Sequence, residues 1–287
     1  MSGSGGLRPE DIVNLEACPI ADPEAPARAA PGRDAPGREA LVERLRSELD
    51  SNQYCVLPAF MRRAAREQAV AEAMAARHMA HHIRDRRNCY LQRDLDPSLP
   101  GDHPRNLLFD TSSRMIAYDL IPADSPLKTL YHWAATRRLV ADIVGAEALY
   151  DNVDPYQPAN LLCFEDGDRS SWHFDSGNAF TVTLMLQAPE AGGAFEMVPN
   201  ARSDRDPNHG YLRAVLQGER SQDIVEVARE PGSLCIFRGC NSLHRVSPVA
   251  GGALRVMGVL VYETEPGVVG DPVVNETVYG PRAAMAG

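Results

Sequence analysis

The sequence predicts an α+β domain that is mainly β, a barrel or jelly roll braced by N-terminal and central helices. From residue 161 onward, short β-branched and aromatic runs alternate with Gly/Pro turns, at 161–164, 179–187, 194–198, 223–227, 233–237 and 254–262. That rhythm is typical of antiparallel strands folded into a closed or two-layered sheet. Upstream of it, apolar residues recur at helical spacing instead. At 287 residues the chain is long enough to bury one large core.

Taken in order, the first residues carry little fold information. Positions 1–6 read as a flexible start, and 22–38 are rich in Ala, Pro, Gly and charge. We expect a flexible or irregular segment over 1–40 and a single domain over 41–287. Leu41, Val42, Leu45 and Leu49 outline a first helix, followed by a short strand at 54–58. A second helix is expected over 62–82. It would carry His78, His81 and His82 at ligand-like spacing, but the adjoining Arg84, Arg86 and Arg87 favour plain C-terminal histidines. Residues 88–110 form a proline-punctuated stretch, a surface connection or an active-site flap. Ser125-Pro126 starts another helix, running through Leu130 and Trp133, and one over 136–144 ends at Gly145. The polar insertion at 200–220 reads equally as a solvated loop or a lid.

Bulk properties exclude several classes. The net charge of −10 and the lack of a long Lys/Arg run argue against a nucleic-acid surface. No apolar stretch matches a membrane span or a signal core, so a cytoplasmic location is expected. Cys18, Cys55, Cys89, Cys163, Cys235 and Cys240 show no CxxC spacing and fit a reducing compartment.

The chemistry gathers around Trp172-His173-Phe174-Asp175 and, much later, Ser242-Leu243-His244-Arg245-Val246. On an extended strand, His173 and Asp175 leave the same face. His244 arrives after the Pro231-Gly232 turn and another strand-rich segment. Two histidines and a carboxylate on one face of a metal leave the other face open, as a non-haem Fe(II) oxygenase requires. The rival reading is a surface His–Asp pair with a core histidine elsewhere. Arg255, eleven residues after His244 in an apolar run, weighs against that reading. Burying it is costly without an anion, and the distal carboxylate of 2-oxoglutarate is such an anion.

This order of residues resembles the Fe(II)/2-oxoglutarate dioxygenases. More narrowly, residues 172–187, Gly192-Gly193-Ala194-Phe195-Glu196, 242–248 and 262–270 resemble the group containing the amino-acid halogenases HalD and BesD. The resemblance covers about half the chain, mostly from Asp154 onward. It implies a double-stranded β-helix, the cupin-like jelly roll, using Fe(II), 2-oxoglutarate and O2 on a free amino acid or similar small polar substrate. Halogenases of this group lack the ligating carboxylate, whereas this chain has Asp175, so a hydroxylase-type relative is expected. Desaturation, cyclisation or epimerisation would need the same ligands. A non-oxidative cupin-type metal protein is the rival of another class, but it typically carries a His-x-His pair, and none suitable is present. For an amino-acid substrate, Arg105 is nominated for the carboxylate, Glu165 for the ammonium and Arg202 as a further cation on the lid. The competing reading of each is an ordinary surface charge.

Overall fold

The computed structural model describes residues 7–20, 36–175 and 179–284. The first part of the chain forms α1 (Pro9–Ile12), α2 (Pro36–Asn52), β1 (Tyr54–Leu57), α3 (Arg63–Ala76), β2 (His81–Arg87) and β3 (Phe109–Ile116). The middle forms α4 (Pro126–His132), α5 (Ala134–Val144), β4 (Tyr150–Asp151), β5 (Ala159–Phe164), β6 (Ser170–His173), β7 (Thr181–Gln187), β8 (Ala191–Gly192) and β9 (Phe195–Val198). The last part forms α6 (His209–Leu216), β10 (Val225–Glu226), β11 (Leu234–Phe237), β12 (Leu243–Val246), β13 (Val249–Ala250), β14 (Arg255–Leu260), β15 (Tyr262–Glu263) and α7 (Pro272–Tyr279).

The strands build two main antiparallel sheets, a jelly roll. The larger has the order β1-β11-β7-β14-β5-β3-β2 and the smaller β10-β9-β12-β6. Alternation along each strand decides which layer a side chain enters. On β7, Val182, Leu184 and Leu186 join Leu234 and Ile236 of β11 in a core shared with Leu45, Leu49, Leu127, Leu130, Leu139 and Ile143 of the helices. Their neighbours Cys235 and Phe237 instead meet Phe195, Met197 and Val246 of the smaller sheet. The central strands of the larger sheet are therefore buried on both faces, which is why they read as continuous apolar runs.

Several helix boundaries follow local chemistry. The Ser125 hydroxyl accepts from the Leu127 amide at the head of α4, and Gly145, at φ 79°, closes α5 in the left-handed region. Other elements depart from expectation. The second helix stops at Ala76, and His81 and His82 lie on β2, not on a helix face with His78. A seven-residue register with β3, from His81↔Met115 to Arg87↔Phe109, overrides the local helical pattern. The helix α7 was not anticipated, although Asp271 caps it by accepting from the Val273 and Val274 amides. Residues 7–20 place Ile12, Val13, Cys18 and Ile20 in the core, and α2 begins at Pro36, so the lead-in is packed where it is described. The stretch 22–35 lies outside the described residues.

The insertion at 200–220 is not simply a solvated loop. It contains α6, whose Leu212, Val215 and Leu216 pack with Trp172, Phe174, Val198 and Leu243 on the smaller sheet. Its partners on the other side include the loop around residues 102–105: His209 Nδ1 lies 3.1 Å from His103 Nε2. None of the six cysteines forms a disulfide, and among the described residues no helix is long and apolar enough to cross a membrane.

Candidate functional site

His173 ends β6 and His244 lies in β12, and the two residues are register partners across the antiparallel pair. This pairing brings residues 71 positions apart in the sequence to a ring separation of 4.2 Å. Asp175 lies two residues beyond the end of β6, so strand alternation alone does not aim it. Its amide donates to the Gly239 carbonyl at 3.1 Å, which holds this extension against the loop before β12. Asp175 Oδ1 then lies 3.4 Å from His244 Nε2 and 3.8 Å from His173 Nε2. One ligand atom from each of the three residues falls within 4.8 Å of the others.

The surroundings prepare these atoms for a cation. The Nδ1 of His173 lies 2.7 Å from the Ser171 carbonyl and that of His244 lies 3.0 Å from the Ser242 carbonyl. Each Nδ1–H can donate there, which leaves the Nε2 lone pair for a metal. Burial, then the His244 charge, lowers His173 to about 4, so its imidazole is neutral at neutral pH. Burial pushes Asp175 upward, but the two histidines and the Thr181 hydroxyl outweigh it and hold the carboxyl well below its ordinary range. The Thr181 hydroxyl donates to Asp175 Oδ2 at 2.6 Å.

Two residues of this arrangement escaped the sequence reading. In the sequence Thr181 is only one member of the β-rich run at 179–187. Gly239 matters through the side chain it lacks: a Cβ there would meet Asp175 Oδ2 at 2.0 Å and His244 Cε1 at 3.0 Å. Nothing near Gly239 in the sequence could reveal that demand, because it comes from a carboxylate 64 positions away.

Arg255 opens β14 opposite Phe164 of β5 and is fully buried. Its Nε donates to the Gly193 carbonyl at 3.0 Å, while Nη1 and Nη2 are buried without a hydrogen-bond partner. Gly193, at φ 64°, permits this approach, since a Cβ there would lie 3.0 Å from Arg255 Cδ. Burial first, and the charge of Arg229 second, hold the Arg255 guanidinium well below its ordinary range. Arg229 is a second inward cation, unanticipated because Glu230-Pro231-Gly232 makes its neighbourhood look like a solvated turn.

The nominated substrate residues separate. Arg105 and Arg202 come together, each guanidinium 5.5 Å from the centre of the Tyr90 ring. Arg202 also lies 4.0 Å from the centre of Phe174, between the proposed ligands His173 and Asp175 in the sequence. Glu165 is not brought to this group. It pairs with Arg114 at 2.9 Å and Arg77 at 3.5 Å and lines a separate polar cleft of about 590 Å³. Its charge is answered there by two arginines.

As a whole, the site fits an iron ion beside a chelating oxo acid. Two imidazoles and a carboxylate form a facial donor set, and the unanswered Arg255 edge fits a carboxylate. The likeness to solved structures is one of fold. The epimerase SnoN in complex with Fe3+, alpha ketoglutarate and nogalamycin RO matches with a TM-score of 0.52 and 14% identity, over 82% of this chain and 93% of that one. AviO1 from Streptomyces viridochromogenes Tue57 matches with a TM-score of 0.51 and 18% identity, over 82% and 98%. The carbocyclase SnoK from nogalamycin biosynthesis matches with a TM-score of 0.51 and 13% identity, over 77% and 83%. No curated protein matches the chain by sequence. The family model for halogenase D matches residues 38–278, and the chain belongs to that family.

Proposed function

We propose that this protein is an Fe(II)- and 2-oxoglutarate-dependent oxygenase of the hydroxylase type, acting on a C–H bond of a free amino acid or similar small polar metabolite. The observation that carries this reading is the convergence of His173, Asp175 and His244 within 4.8 Å beside an unanswered, buried Arg255. When bound, the iron with 2-oxoglutarate and O2 supplies the oxidising power that removes hydrogen from the C–H bond, with succinate and CO2 as by-products.

The chain's own residues position the reactants. His173, Asp175 and His244 hold the iron, with the Ser171 and Ser242 carbonyls orienting the rings and Thr181 the carboxylate. Arg255 holds the far carboxylate of the oxo acid through its open edge. Phe195 and Phe237, with ring centres 5.7 and 5.1 Å from that of His244, keep water from this side of the site. Arg202 and Arg105, gathered at Tyr90, receive the substrate carboxylate. Asp175 occupies the position a halide would need, which favours hydroxylation within a family named for halogenation. Desaturation, cyclisation and epimerisation would use the same ligands. Six cysteines, none in a disulfide, support a cytoplasmic setting.

The test is succinate formation from 2-oxoglutarate with Fe(II), with and without a panel of amino acids, and mass spectrometry of each product. A gain of one oxygen on one panel member, coupled to succinate, is expected. No succinate under any condition would overturn the oxygenase reading, and succinate formation stimulated only by non-amino-acid metabolites would overturn the substrate class.

A further inference from the structure

Arg229 lies on the loop between β10 and β11 and points the same way as Arg255, into the layer between the two sheets. Its Nη1 donates to the Thr183 hydroxyl at 3.1 Å, and its guanidinium lies 4.1 Å from the centre of the Phe195 ring. Phe195 in turn approaches His244, with ring centres 5.7 Å apart. Arg229 Nε and Nη2 are buried with no hydrogen-bond partner.

The two arginines are built alike. Each is anchored at one edge, Arg255 by the Gly193 carbonyl and Arg229 by Thr183 with the Cys235 thiol beside it, and each keeps two buried nitrogens without an oxygen or nitrogen partner. Each is near a phenyl ring, Arg255 5.1 Å from the centre of Phe164 and Arg229 over Phe195. Those rings belong to one buried cluster with Met197, Val227, Cys235, Phe237, Val246 and Val249, which contains no acid. Among the described residues neither arginine has an ion-pair partner. Two like charges in an apolar layer repel each other, and the charge of Arg229 already disfavours that of Arg255. An anion from outside would relieve both. A carboxylate offers about four lone-pair directions, which matches the four open nitrogens.

We propose that Arg229 and Arg255 together form a two-guanidinium clamp for the far carboxylate of the co-substrate, with Arg229 selecting a dicarboxylic 2-oxo acid over a monocarboxylic one. The assignment of 2-oxoglutarate rests on the function proposed above; the clamp itself requires only a carboxylate at that depth. A monocarboxylic oxo acid can still chelate the metal but leaves both cations unanswered, so the preference for a tail carboxylate is stronger than a single arginine would give.

The test is calorimetric binding without turnover, on the Mn(II)-loaded full chain, with 2-oxoglutarate, glutarate and 2-oxobutyrate as probes. Wild type, Arg229→Gln, Arg229→Lys and Arg255→Gln are compared, and the melting temperature of each ligand-free protein reports folding. Arg229→Gln should weaken 2-oxoglutarate roughly ten- to a hundredfold, leave 2-oxobutyrate unchanged, and remain folded. Arg229→Lys should recover part of the loss. Arg229→Gln binding 2-oxoglutarate like wild type, while Arg255→Gln is weakened, would overturn the clamp. A folded Arg229→Gln that loses 2-oxoglutarate and 2-oxobutyrate equally would also overturn it. If wild type binds glutarate but not 2-oxoglutarate, and Arg229→Gln weakens glutarate, the clamp stands and the co-substrate assignment falls. If wild type binds neither dicarboxylate, the clamp falls.

Discussion

Two of the regions where this molecule buries polar groups treat them in opposite ways. Around Asp154 the groups answer one another. Asp154 Oδ2 accepts from the Gly270 amide and Asn275 Nδ2, and Oδ1 accepts from the Tyr156 amide. Asn152 Nδ2 donates to Gln157 and Glu263, and the Tyr279 hydroxyl donates to Asn160. Between the sheets, by contrast, Arg255 and Arg229 keep open nitrogens, and two histidines and a carboxylate crowd together with their ligand atoms facing inward. A satisfied buried network fixes structure, whereas an unsatisfied one marks where something from outside must bind. The contrast predicts that changes in the first region cost stability and changes in the second cost binding.

The largest expected effect comes from removing a ligand. His244→Ala should abolish iron-dependent turnover and bound-iron stoichiometry while circular dichroism shows a folded protein. Full activity with normal iron content would dissolve the distinction between the regions. Arg255→Ala comes next. Losing one partner of a desolvated charge pair costs about 3–5 kcal/mol, so the 2-oxoglutarate requirement should rise by roughly two to three orders of magnitude. Arg255→Lys should restore only part of it, lacking the planar fork. In the ligand-free protein Arg255→Ala should not lower the urea midpoint by a comparable amount, since the charge there has no partner to lose.

Gly239→Ala sharpens the comparison because it adds a methyl group without removing any polar atom. With Asp175 Oδ2 only 2.0 Å from the added carbon, the carboxylate must turn aside and strain its contact with Thr181. Displacing the support of a metal ligand typically costs about 10–100-fold in affinity, and an iron titration should show a loss of that order. Unchanged iron affinity would mean that the carboxylate has room the static geometry denies it. On the other side of the comparison, Asn275→Ala removes one donor from Asp154 and an acceptor from Gln157. Leaving such buried groups unanswered costs about 1–3 kcal/mol, to be read in urea unfolding, with iron and 2-oxoglutarate affinities unaltered. A selective loss of ligand binding in this variant would join the two regions functionally.

Legibility from sequence followed the range over which each residue's role is decided. The spacing of His173, Asp175, His244 and Arg255 was readable because residue type and order already state the chemistry. The central strands β7 and β11 were readable because burial on both faces makes them apolar throughout. β2 was not, since His-His-Ile-Arg-Asp-Arg-Arg has no apolar face and becomes a strand only by pairing with β3, more than twenty residues on. Arg229 and Gly239 were missed for a related reason: one looks like turn charge and the other like loop filler until the opposite sheet is in place. The helix α7 is a different case, because Asp271-Pro272 is a start signal legible in the sequence.

The smallest expected effect is none at all. In excess chloride, and separately in excess bromide, the wild-type product should carry oxygen and no halogen. The reason is positional and electrostatic. Asp175 Oδ1 stands 3.4 Å from His244 Nε2 and 3.8 Å from His173 Nε2, with Thr181 on its other oxygen and its amide on the Gly239 carbonyl, so under the proposed assignment an anion fills the third protein position at the metal. A halide would have to displace that carboxylate or add a further negative charge beside it. Asp175→Gly would vacate the position, but it would also free the Thr181 hydroxyl and one side of Gly239, so loss of activity there would say little about halide. The decisive sample is therefore the unmutated enzyme, its product analysed by mass spectrometry for the isotope patterns of chlorine and bromine. Either pattern would show that the carboxylate yields its place, and the proposed hydroxylase assignment would fail.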